Sequence, residues 1–595
     1  MMRTFLPSVV LLALIPLGAI QAADPPAGAK PSERLRAVIA AYWDDFLKRH
    51  PLEATIYVGD HHYDDRLNDP SLEAYAAWLA QLRKTRLELE AIEPQGLSPS
   101  ERIDREILAG MIDDRVELEK FGGRLIPVIQ LVRASTDVHT DDLHLVFSQL
   151  GDFHPASTAG DLENFDRRLH AFPKLAEGLI AVMRQGMAAK RLPPKLITAR
   201  VVAQLRALAN PKAEESPLWT IVNRLPKDWP ETEKKEAVER IRKAIEESVI
   251  PAYAKFAAFV ENEYLPACPE NVGLCDAPDG LAHYARLVRR FTTTDLTPDQ
   301  IHETGLAQVA KTREGMEVIR KKIGFDGDLK AFLVHVRADP KLKNRDAQSI
   351  LDGHRAILAA MDANLPKLFG KLPTTPYEVR EFDPVRAKSS PSAEYLPVPS
   401  DGSRPGIFFV NTSDPTSRPT YIMQALAYHE AVPGHHFQMS LSLEDPGRPI
   451  FRRYFYIPAF DEGWALYSEG LPAEIGLYTD PYAEFGRLNY DALRCVRLVI
   501  DTGIHAKGWS RDRAIAYFEA NTSLPRNEIA NETDRYIAWP GQALAYKVGE
   551  LTIRAARAKA ELRDGPAFDL RAFHDRLLGS GSVPLRLLDR VLDKK

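Results

Sequence analysis

The sequence predicts a predominantly α-helical protein, and two observations support that fold class. Long segments carry apolar residues three and four positions apart, a spacing that places them on one face of a helix. These segments are residues 32–48, 71–92, 100–118, 162–185, 231–260 and 298–319. In contrast, residues 404–411 form a short apolar and β-branched run punctuated by proline and glycine, which is typical of a strand. We therefore expect mostly helices with a small β-sheet.

The first element is a predicted secretory signal peptide at residues 1–23. Met-Met-Arg-Thr precedes an apolar run at residues 5–20, and Gln-Ala-Ala follows it at residues 21–23. A basic start, an apolar stretch and small residues in this order are typical of a cleavable signal. No later stretch reaches the roughly 18 apolar residues of a spanning helix. We expect a periplasmic or secreted protein without stable membrane insertion.

The rest of the chain is predicted to form two lobes. A proline-rich stretch at residues 265–280 separates a helical N-terminal lobe, residues 24–280, from a catalytic lobe, residues 281–595. Soon after the boundary, Thr297 is followed by Pro298, Asp299 and Gln300, which supplies an N-cap, a first-turn proline and a capping-box partner. A helix is therefore predicted to begin at this point.

Three cysteines allow one predicted disulfide. Cys268 and Cys275 flank a short loop, and an oxidising compartment would let them pair. Cys495 lies in an apolar helical pattern, so we expect a buried thiol there.

The overall composition limits the classes of partner. The chain has 595 residues, 45% of them hydrophobic, and a formal net charge of -5. A chain of this length can bury a large core. Nucleic-acid binding is not supported, because it requires clustered lysine and arginine to neutralise phosphates.

Two short segments concentrate the residues that bind zinc in hydrolases. Residues 428–436 read Tyr-His-Glu-Ala-Val-Pro-Gly-His-His, and residues 461–469 read Asp-Glu-Gly-Trp-Ala-Leu-Tyr-Ser-Glu. A catalytic zinc site takes three protein ligands, imidazole and carboxylate among them, and leaves one position for water. The candidate ligands for one Zn²⁺ are His429, one of His435 and His436, and Glu462. Glu430 projects about 100° away from His429 on a helix, which suits a general base.

The spacing of the histidines predicts a break in the helix. From His429 to His435 is six residues, about 600° on a regular helix, so the two imidazoles would diverge. Pro433 and Gly434 are suited to such a break. His436 returns to the same helical face but lies about 10.5 Å further along the axis. His435 is the preferred ligand, with His436 as the alternative.

These motifs resemble the helical gluzincin peptidases, which include thimet-type oligopeptidases, carboxypeptidase Taq, dipeptidyl peptidase III and angiotensin-converting enzyme. Closer still, they and residues 535–544 resemble the bacterial domain of unknown function 885 family. The resemblance implies a two-lobed, zincin-like fold and a cleft that admits oligopeptides. It is also the reason for choosing Glu462 over Glu469 as third ligand. Glu469 lies on the same helical face and is an outer partner, an alternate ligand or a solvated charge, and the outer partner is the preferred interpretation.

The strand predicted at residues 404–411 has two interpretations. Zincin-type peptidases present an edge strand beside the metal, and an extended peptide can pair with such an edge. Phe409 and Asn411 would then contact the substrate. A purely structural strand is the equal alternative.

A polar row follows the motifs on a predicted helix. Arg494, Arg497, Asp501 and His505 recur every three or four residues and share one face. The face is either exposed and salt-bridged, or buried with Asp501 orienting His505 toward the substrate. Both interpretations stay open.

The gluzincin resemblance also implies a histidine and a tyrosine late in the chain that stabilise the oxyanion. His505 and Tyr536 are the candidates, with Tyr546 as a rival to Tyr536. Arg535 or Lys547 would hold a peptide carboxylate, although either is equally consistent with a surface charge.

The sequence thus predicts an exported zinc peptidase acting on oligopeptides, with exopeptidase and endopeptidase action both open. Two other classes remain as alternatives. One is a zinc amidase acting on cell-wall peptides or other non-peptide amides. The other is a catalytically silent peptide-binding protein on the same scaffold.

Overall fold

The computed structural model describes residues 28–131, 142–209, 212–382, 387, 391–399, 402 and 404–593. They form a predominantly α-helical protein with one small sheet, as predicted. The predicted signal peptide at residues 1–23 lies outside the described residues. None of the helices in the described ranges combines the length and the hydrophobicity that a membrane crossing requires.

The first helices agree with the periodicity of the sequence, and all six predicted segments are helical. A capping box between Thr297 and Gln300 opens the helix Pro298–Ile323, as predicted. Short π-helical segments join the helices Glu231–Ala244, Ile250–Phe259 and Leu265–Ala267 into one continuous helical segment. The helices are α1 Pro31–Arg49, α2 Pro51–Glu53, α3 Leu72–Glu90, α4 Pro99–Leu118, α5 Leu143–Ser148, α6 Leu150–Phe153, α7 Ala159–Ala188, α8 Lys195–Ala209, α9 Glu231–Ala244, α10 Ile250–Phe259, α11 Leu265–Ala267, α12 Gly280–Thr292, α13 Pro298–Ile323, α14 Leu329–Ala338 and α15 Ala347–Asp362.

The helices that follow the sheet contain both motifs and the polar row. They are α16 Met423–Glu430, α17 His435–Leu443, α18 Ile450–Tyr454, α19 Pro458–Glu474, α20 Pro481–Lys507, α21 Arg511–Asn521, α22 Arg526–Ala538, α23 Ala545–Asp564, α24 Leu570–Gly579 and α25 Leu588–Leu592. The motifs therefore lie on α16, α17 and α19, and the polar row lies on α20.

The sheet has three short strands in the order β1-β3-β2. They are β1 Tyr377–Glu381, β2 Ala393–Leu396 and β3 Gly406–Val410. β3 confirms the strand predicted at residues 404–411. It pairs in parallel with β1 and antiparallel with β2, so both of its edges are occupied. The edge-strand interpretation of β3 is therefore wrong.

The hydrophobic cores do not follow the predicted lobes. The largest core combines Leu35 and Ile107 of the first helices with Phe460 and Phe485 of the second half. A second core draws only on residues 52–268. The division at residue 280 stays a prediction, but α1, α3 and α4 share their core with the second half of the chain.

Helix α20 is the central support of the second half. It is buried along most of its length and packs lengthwise against α13. Its four polar residues, Arg494, Arg497, Asp501 and His505, are also buried, which excludes the solvated alternative. No hydrogen bond joins any two of these four described side chains.

Two glycines bring α19 and α23 into backbone contact. A Cβ added at Gly549 would lie 1.8 Å from the carbonyl oxygen of Ala459, and one at Gly463 would lie 2.6 Å from the Gly549 backbone. Only glycine fits both positions, because any side chain would occupy the space of the other helix. This crossing brings Glu462 of α19 close to Tyr546 of α23.

The predicted disulfide between Cys268 and Cys275 is wrong, because both are free thiols. The buried Sγ of Cys268 lies 3.2 Å from the hydroxyl of Thr198. The Sγ of Cys275 instead faces the carbonyl oxygen of Ile504 at 3.6 Å. The two sulfurs therefore contact different helices. Cys495 is buried and free, as expected.

Candidate metal centre

The predicted helix break brings His435 beside His429. α16 ends at Glu430 and α17 begins at His435. Between them the chain passes so close to α16 that a Cβ on Gly434 would lie 1.9 Å from the carbonyl oxygen of His429. The two imidazole rings are 4.9 Å apart and almost perpendicular. The turn through Pro433 and Gly434 thus compensates for the unfavourable six-residue spacing.

Glu462 completes a three-residue cluster with these histidines. Its Oε2 lies 3.4 Å from Nε2 of His429 and 3.3 Å from Nε2 of His435. One ligand atom from each residue lies within 4.8 Å of the other two, and all three residues are buried. α19 holds this carboxylate near the α16–α17 turn, where the Trp464 indole donates to the carbonyl oxygen of Pro433 at 2.9 Å.

Outer hydrogen bonds orient two members of the cluster. Oε1 of Glu469 lies 2.8 Å from Nδ1 of His429, which leaves Nε2 facing Glu462. The hydroxyl of Tyr456 donates to Oε1 of Glu462 at 2.6 Å, which leaves Oε2 facing the histidines. Carboxylates commonly fix ligating imidazoles in this way. Glu469 therefore lies outside the cluster, hydrogen-bonded to His429, which is the arrangement that the preferred of its three interpretations describes.

The cluster carries strong electrostatic coupling. Burial disfavours the charged ring of His429, but the carboxylates of Glu462 and Glu469 beside it outweigh this effect and raise its pKa to about 9. Burial likewise opposes the charged form of Glu462, while the two histidines hold the pKa of its carboxyl well below the usual range.

The donor atoms of the cluster fit a zinc ion. Two imidazole nitrogens and one carboxylate oxygen match the His₂Glu set of catalytic zinc sites. The buried Oε2 of Glu462 faces the two imidazole nitrogens at 3.3–3.4 Å and has no other hydrogen-bond donor within the described structure. A buried carboxylate oxygen is costly unless a positive charge compensates it, and a cation between these three atoms would do so.

Glu430 lies next to the cluster with its carboxylate unengaged. It is partly buried and makes no hydrogen bond or ion pair with another described residue. Burial raises the pKa of its carboxyl, the neighbouring His429 and His435 lower it, and Glu394 of β2 adds to the rise. The position leaves the carboxylate available to exchange a proton with a bound molecule.

The alternative ligand His436 lies outside the cluster. Its Nδ1 is 2.9 Å from the hydroxyl of Tyr395 on β2 and 3.3 Å from that of Ser440. Its ring packs against Tyr377 of β1 at 4.6 Å. Burial lowers its pKa to about 4. Of the two candidates, the structure brings His435 to His429 and Glu462, and uses His436 between α17 and the sheet.

The assignment of His505 to the site is wrong. Its Nδ1 accepts a hydrogen bond from the backbone N–H of Leu274 at 3.2 Å, and its Nε2 lies 3.0 Å from the carbonyl oxygen of Tyr536. Asp501 does not orient it, because that carboxylate binds the hydroxyl of Tyr284 and the backbone N–H of Gly541. Both residues tie α20 to neighbouring segments.

Tyr546 replaces Tyr536 as the tyrosine beside the cluster. The Tyr536 hydroxyl is already engaged, since it donates to Glu532 at 2.6 Å and accepts from Nε of Arg497 at 2.9 Å. The Tyr546 ring instead lies parallel to that of His429, with centroids 6.4 Å apart. The rival named from the sequence is therefore the better placed.

The other predicted substrate contacts are occupied. The Lys547 ammonium pairs with Asp491 at 2.6 Å and Glu550 at 3.1 Å. The buried Asn411 side chain donates to two backbone carbonyls of the loop before β2 and accepts from Ser413. Asn411 and Lys547 are therefore structural, which corrects both predictions.

The last two predicted substrate contacts, Phe409 and Arg535, have different surroundings. Phe409 stacks on Phe382 with centroids 5.3 Å apart. It belongs to the central strand and has no open edge for a peptide. Arg535 donates to Gln542 at 2.7 Å and pairs with Glu532 at 3.3 Å, but it stays only partly buried. Phe409 is thus corrected, and Arg535 stays a prediction.

Two features of the site were not predicted. Tyr456 precedes α19 in an irregular segment, and no local pattern marks it as the partner of Glu462. β2 packs beside α16 and carries Glu394, whose charge acts on Glu430. Its apolar and polar alternation is too short to be recognised in the sequence.

The sequence and the fold both have relatives. The family described as bacterial protein of unknown function (DUF885) matches residues 51–592. The fold is similar to that of a candidate lipoprotein from Colwellia psychrerythraea, with a TM-score of 0.90, 27% identity, and 95% of this chain and 99% of that chain covered. A candidate lipoprotein of unknown function from Shewanella oneidensis has a TM-score of 0.70 at 19% identity, covering 94% and 100%. No curated protein matches the chain.

Proposed function

We propose that this chain, which belongs to the DUF885 family of bacterial proteins, is an exported zinc-dependent peptidase that hydrolyses oligopeptides. One observation carries the proposal. His429, His435 and Glu462 meet in a buried cluster, and among the described residues the Glu462 oxygen that faces both imidazoles has no other hydrogen-bond donor. An unengaged carboxylate, Glu430, follows the first histidine directly. This combination suits hydrolysis better than structural metal binding, because a structural site has no use for a free carboxylate at its side.

The residues divide the work of hydrolysis between them. His429, His435 and Glu462 would hold zinc, which supplies a Lewis acid for the scissile carbonyl and lowers the pKa of water. Glu430 takes a proton from the attacking water while the water oxygen bonds to the carbonyl carbon. When the C–N bond breaks, the same carboxyl returns that proton to the leaving amine. Tyr546, whose ring lies parallel to that of His429, is the candidate to donate to the oxyanion.

β2 is the strand suited to align a peptide. Within the described residues it pairs only with β3, so its outer edge has no strand partner. It packs beside α16, and the charge of Glu394 acts on Glu430. An extended peptide on that edge would bond through its main chain, which explains how varied sequences would bind. This replaces the role first predicted for β3.

Export is supported by two independent observations. The N-terminal sequence has the order of a signal peptide, and the similar structure from Colwellia psychrerythraea is described as a candidate lipoprotein. We place the protein in the periplasm or outside the cell.

Substitution of Glu430 tests the proposal. The mature chain and Glu430→Gln are purified, their zinc content is measured by mass spectrometry, and both are incubated with a mixed oligopeptide library. We expect zinc in both and a rate lower by about 100-fold or more for Glu430→Gln, the usual contribution of a general base. Glu519→Gln, a surface substitution on α21, is the matched control and should cleave normally.

The remaining outcomes are distinct. Zinc without cleavage by the unmutated chain would contradict peptidase action and favour another amide as substrate. A chain that binds no zinc would remove the basis of the proposal. Cleavage products that lose residues from one end would identify an exopeptidase.

A further inference from the structure

Two arginines of α20 have buried N–H groups with no acceptor. Arg494 and Arg497 are 4% and 6% exposed. Nε of Arg494 and Nη1 of Arg497 are buried and make no hydrogen bond within the described structure. A charged donor left unpaired away from water costs more than a neutral one. Buried charged donors without an acceptor are typical of sites that bind an anionic ligand.

Both arginines lie close to the metal cluster. The guanidinium carbon of Arg497 is 4.3 Å from the Tyr546 ring centroid, and that of Arg494 is 5.8 Å from it. Tyr546 in turn lies parallel to His429. Arg494 also approaches Oε1 of Glu469 at 3.6 Å, the oxygen that orients His429. Tyr546 therefore lies between His429 and both arginines, and Glu469 also connects Arg494 to His429.

Few carboxylates of the described structure pair with the two arginines. Glu532 is the only acid in the described structure that pairs with Arg497, at 2.8 Å, and it is shared with Arg535. Arg494 has only the longer contact with Glu469. Glu528 makes no ion pair with either arginine, and burial, together with Glu532, raises its pKa to about 7. Arg497 and Arg535 therefore share one carboxylate, and the contact between Arg494 and Glu469 is longer than either of theirs.

Other basic residues near the site are less suited to a ligand. Lys547 is neutralised by two carboxylates, and Arg535 already donates to Gln542 and Glu532. Each of the two arginines offers one unpaired nitrogen, Nε of Arg494 and Nη1 of Arg497, and a charged N–H donor forms a strong hydrogen bond with a carboxylate.

We infer that Arg494 and Arg497 form a subsite for a substrate carboxylate, so that the preferred substrates are short peptides carrying a free carboxylate near the scissile bond. This inference rests on the proposed peptidase function. The carboxylate belongs either to the peptide C-terminus or to an acidic side chain, and both present the same chemistry to the arginines. A C-terminal carboxylate would make the enzyme a carboxypeptidase or dipeptidase.

The test measures binding rather than turnover. Zinc-loaded Glu430→Gln protein is titrated calorimetrically with three versions of one short peptide. The first has a free C-terminus and no acidic side chain, the second is its C-terminal amide, and the third is the amide with one internal glutamate. We expect the free acid or the glutamate peptide to bind about tenfold or more tightly than the neutral amide.

A variant then assigns the preference to the arginine. Arg497→Gln in the Glu430→Gln background should bind all three peptides equally, whereas Arg497→Lys should keep part of the preference. Arg526→Gln, an exposed arginine on α22, is the matched control and should keep all of it. Ratios within one variant are compared, so a general loss of folded protein does not affect the result.

Each outcome is decisive. Preference for the free acid supports the inference with a C-terminal carboxylate, and preference for the glutamate peptide supports it with an acidic side chain. Equal binding of all three peptides, or a preference that survives Arg497→Gln, would overturn it. If the unmutated protein binds the free acid selectively but cleaves nothing, the proposed peptidase function fails while the carboxylate subsite stands.

Discussion

His429 at the end of α16 and His505 near the end of α20 are both buried, yet their ring nitrogens have different kinds of partner. His429 faces two carboxylates, Glu462 and Glu469, which raise its pKa to about 9 against the effect of burial. His505 faces a backbone N–H and a backbone carbonyl, and burial lowers its pKa to about 4.

The difference shows how a buried histidine acquires a role. Backbone partners use one nitrogen as donor and one as acceptor, so they fix a neutral tautomer and leave no valence for a ligand. Carboxylate partners attract a positive charge, which either a proton or a metal ion can supply. The sequence places an acid near both histidines, but only the structure distinguishes the two cases.

The largest effect is expected from removing a ligand on the cluster side of this comparison. His435→Ala should weaken zinc binding by about 1,000-fold or more, since the roughly 10–16 kcal/mol of zinc binding measured in proteins is shared among three or four ligands. Competition with a chelator of known affinity measures the change.

The neighbouring residue provides the control for this substitution. His436→Ala removes an imidazole one position along the chain and should retain zinc, because that ring faces Tyr395 and Ser440. Zinc lost in His436→Ala and kept in His435→Ala would reverse the assignment.

The second prediction concerns stability on the His505 side. At pH 7.5, His505→Ala should lower the free energy of unfolding by about 2–4 kcal/mol, because Leu274 and Tyr536 lose their partners and a cavity remains. Zinc content and peptide cleavage should not change. Denaturant unfolding monitored by circular dichroism measures the free energy of unfolding. Mass spectrometry measures zinc content and peptide cleavage.

The contribution of His505 to the free energy of unfolding should depend on pH. Burial lowers the pKa of His505 from 6.5 to about 4, so between these values the unfolded chain binds a proton that the folded protein does not. The contribution of the ring is complete above pH 6.5 and decreases as the pH falls toward 4, by at most about 3 kcal/mol. The difference in the free energy of unfolding between the unmutated protein and His505→Ala should therefore become smaller as the pH falls. A gap that widens on acidification would contradict the neutral tautomer.

The smallest effect is expected one step outside the cluster. Glu469→Gln removes the charge that orients His429 and should weaken zinc binding by about 10–100-fold, the usual cost of changing such a partner. Glu474→Gln on the same helix pairs with Arg557 at the surface and should leave zinc affinity unchanged. Equal affinities in all three proteins would show that the orientation of His429 does not depend on Glu469.

Local patterns were sufficient to predict the helices and part of the site. Apolar periodicity located the helices because an amphipathic face is encoded within each segment. The turn geometry of Pro433 and Gly434 favoured His435 over His436, and the structure brings His435 to the cluster. In each case the deciding information lies within a few residues of the chain.

Long-range contacts account for the errors. The hydrogen-bond partner of His505 at Nδ1 is Leu274, 231 residues earlier in the chain. β3 was taken for an edge because strand order depends on where β1 and β2 pair. The cysteines are close in sequence, but the loop between them directs each sulfur to a different helix. No local pattern contains these relations.

The glycine crossing of α19 and α23 has a mechanical consequence. Gly463 and Gly549 place two backbones in direct contact, so no side chain between them can change rotamer and alter their separation. Glu462 and Tyr546 therefore lie on two helices whose separation is fixed by backbone contact. Amide hydrogen exchange should show α19 and α23 opening together as a single slow unit.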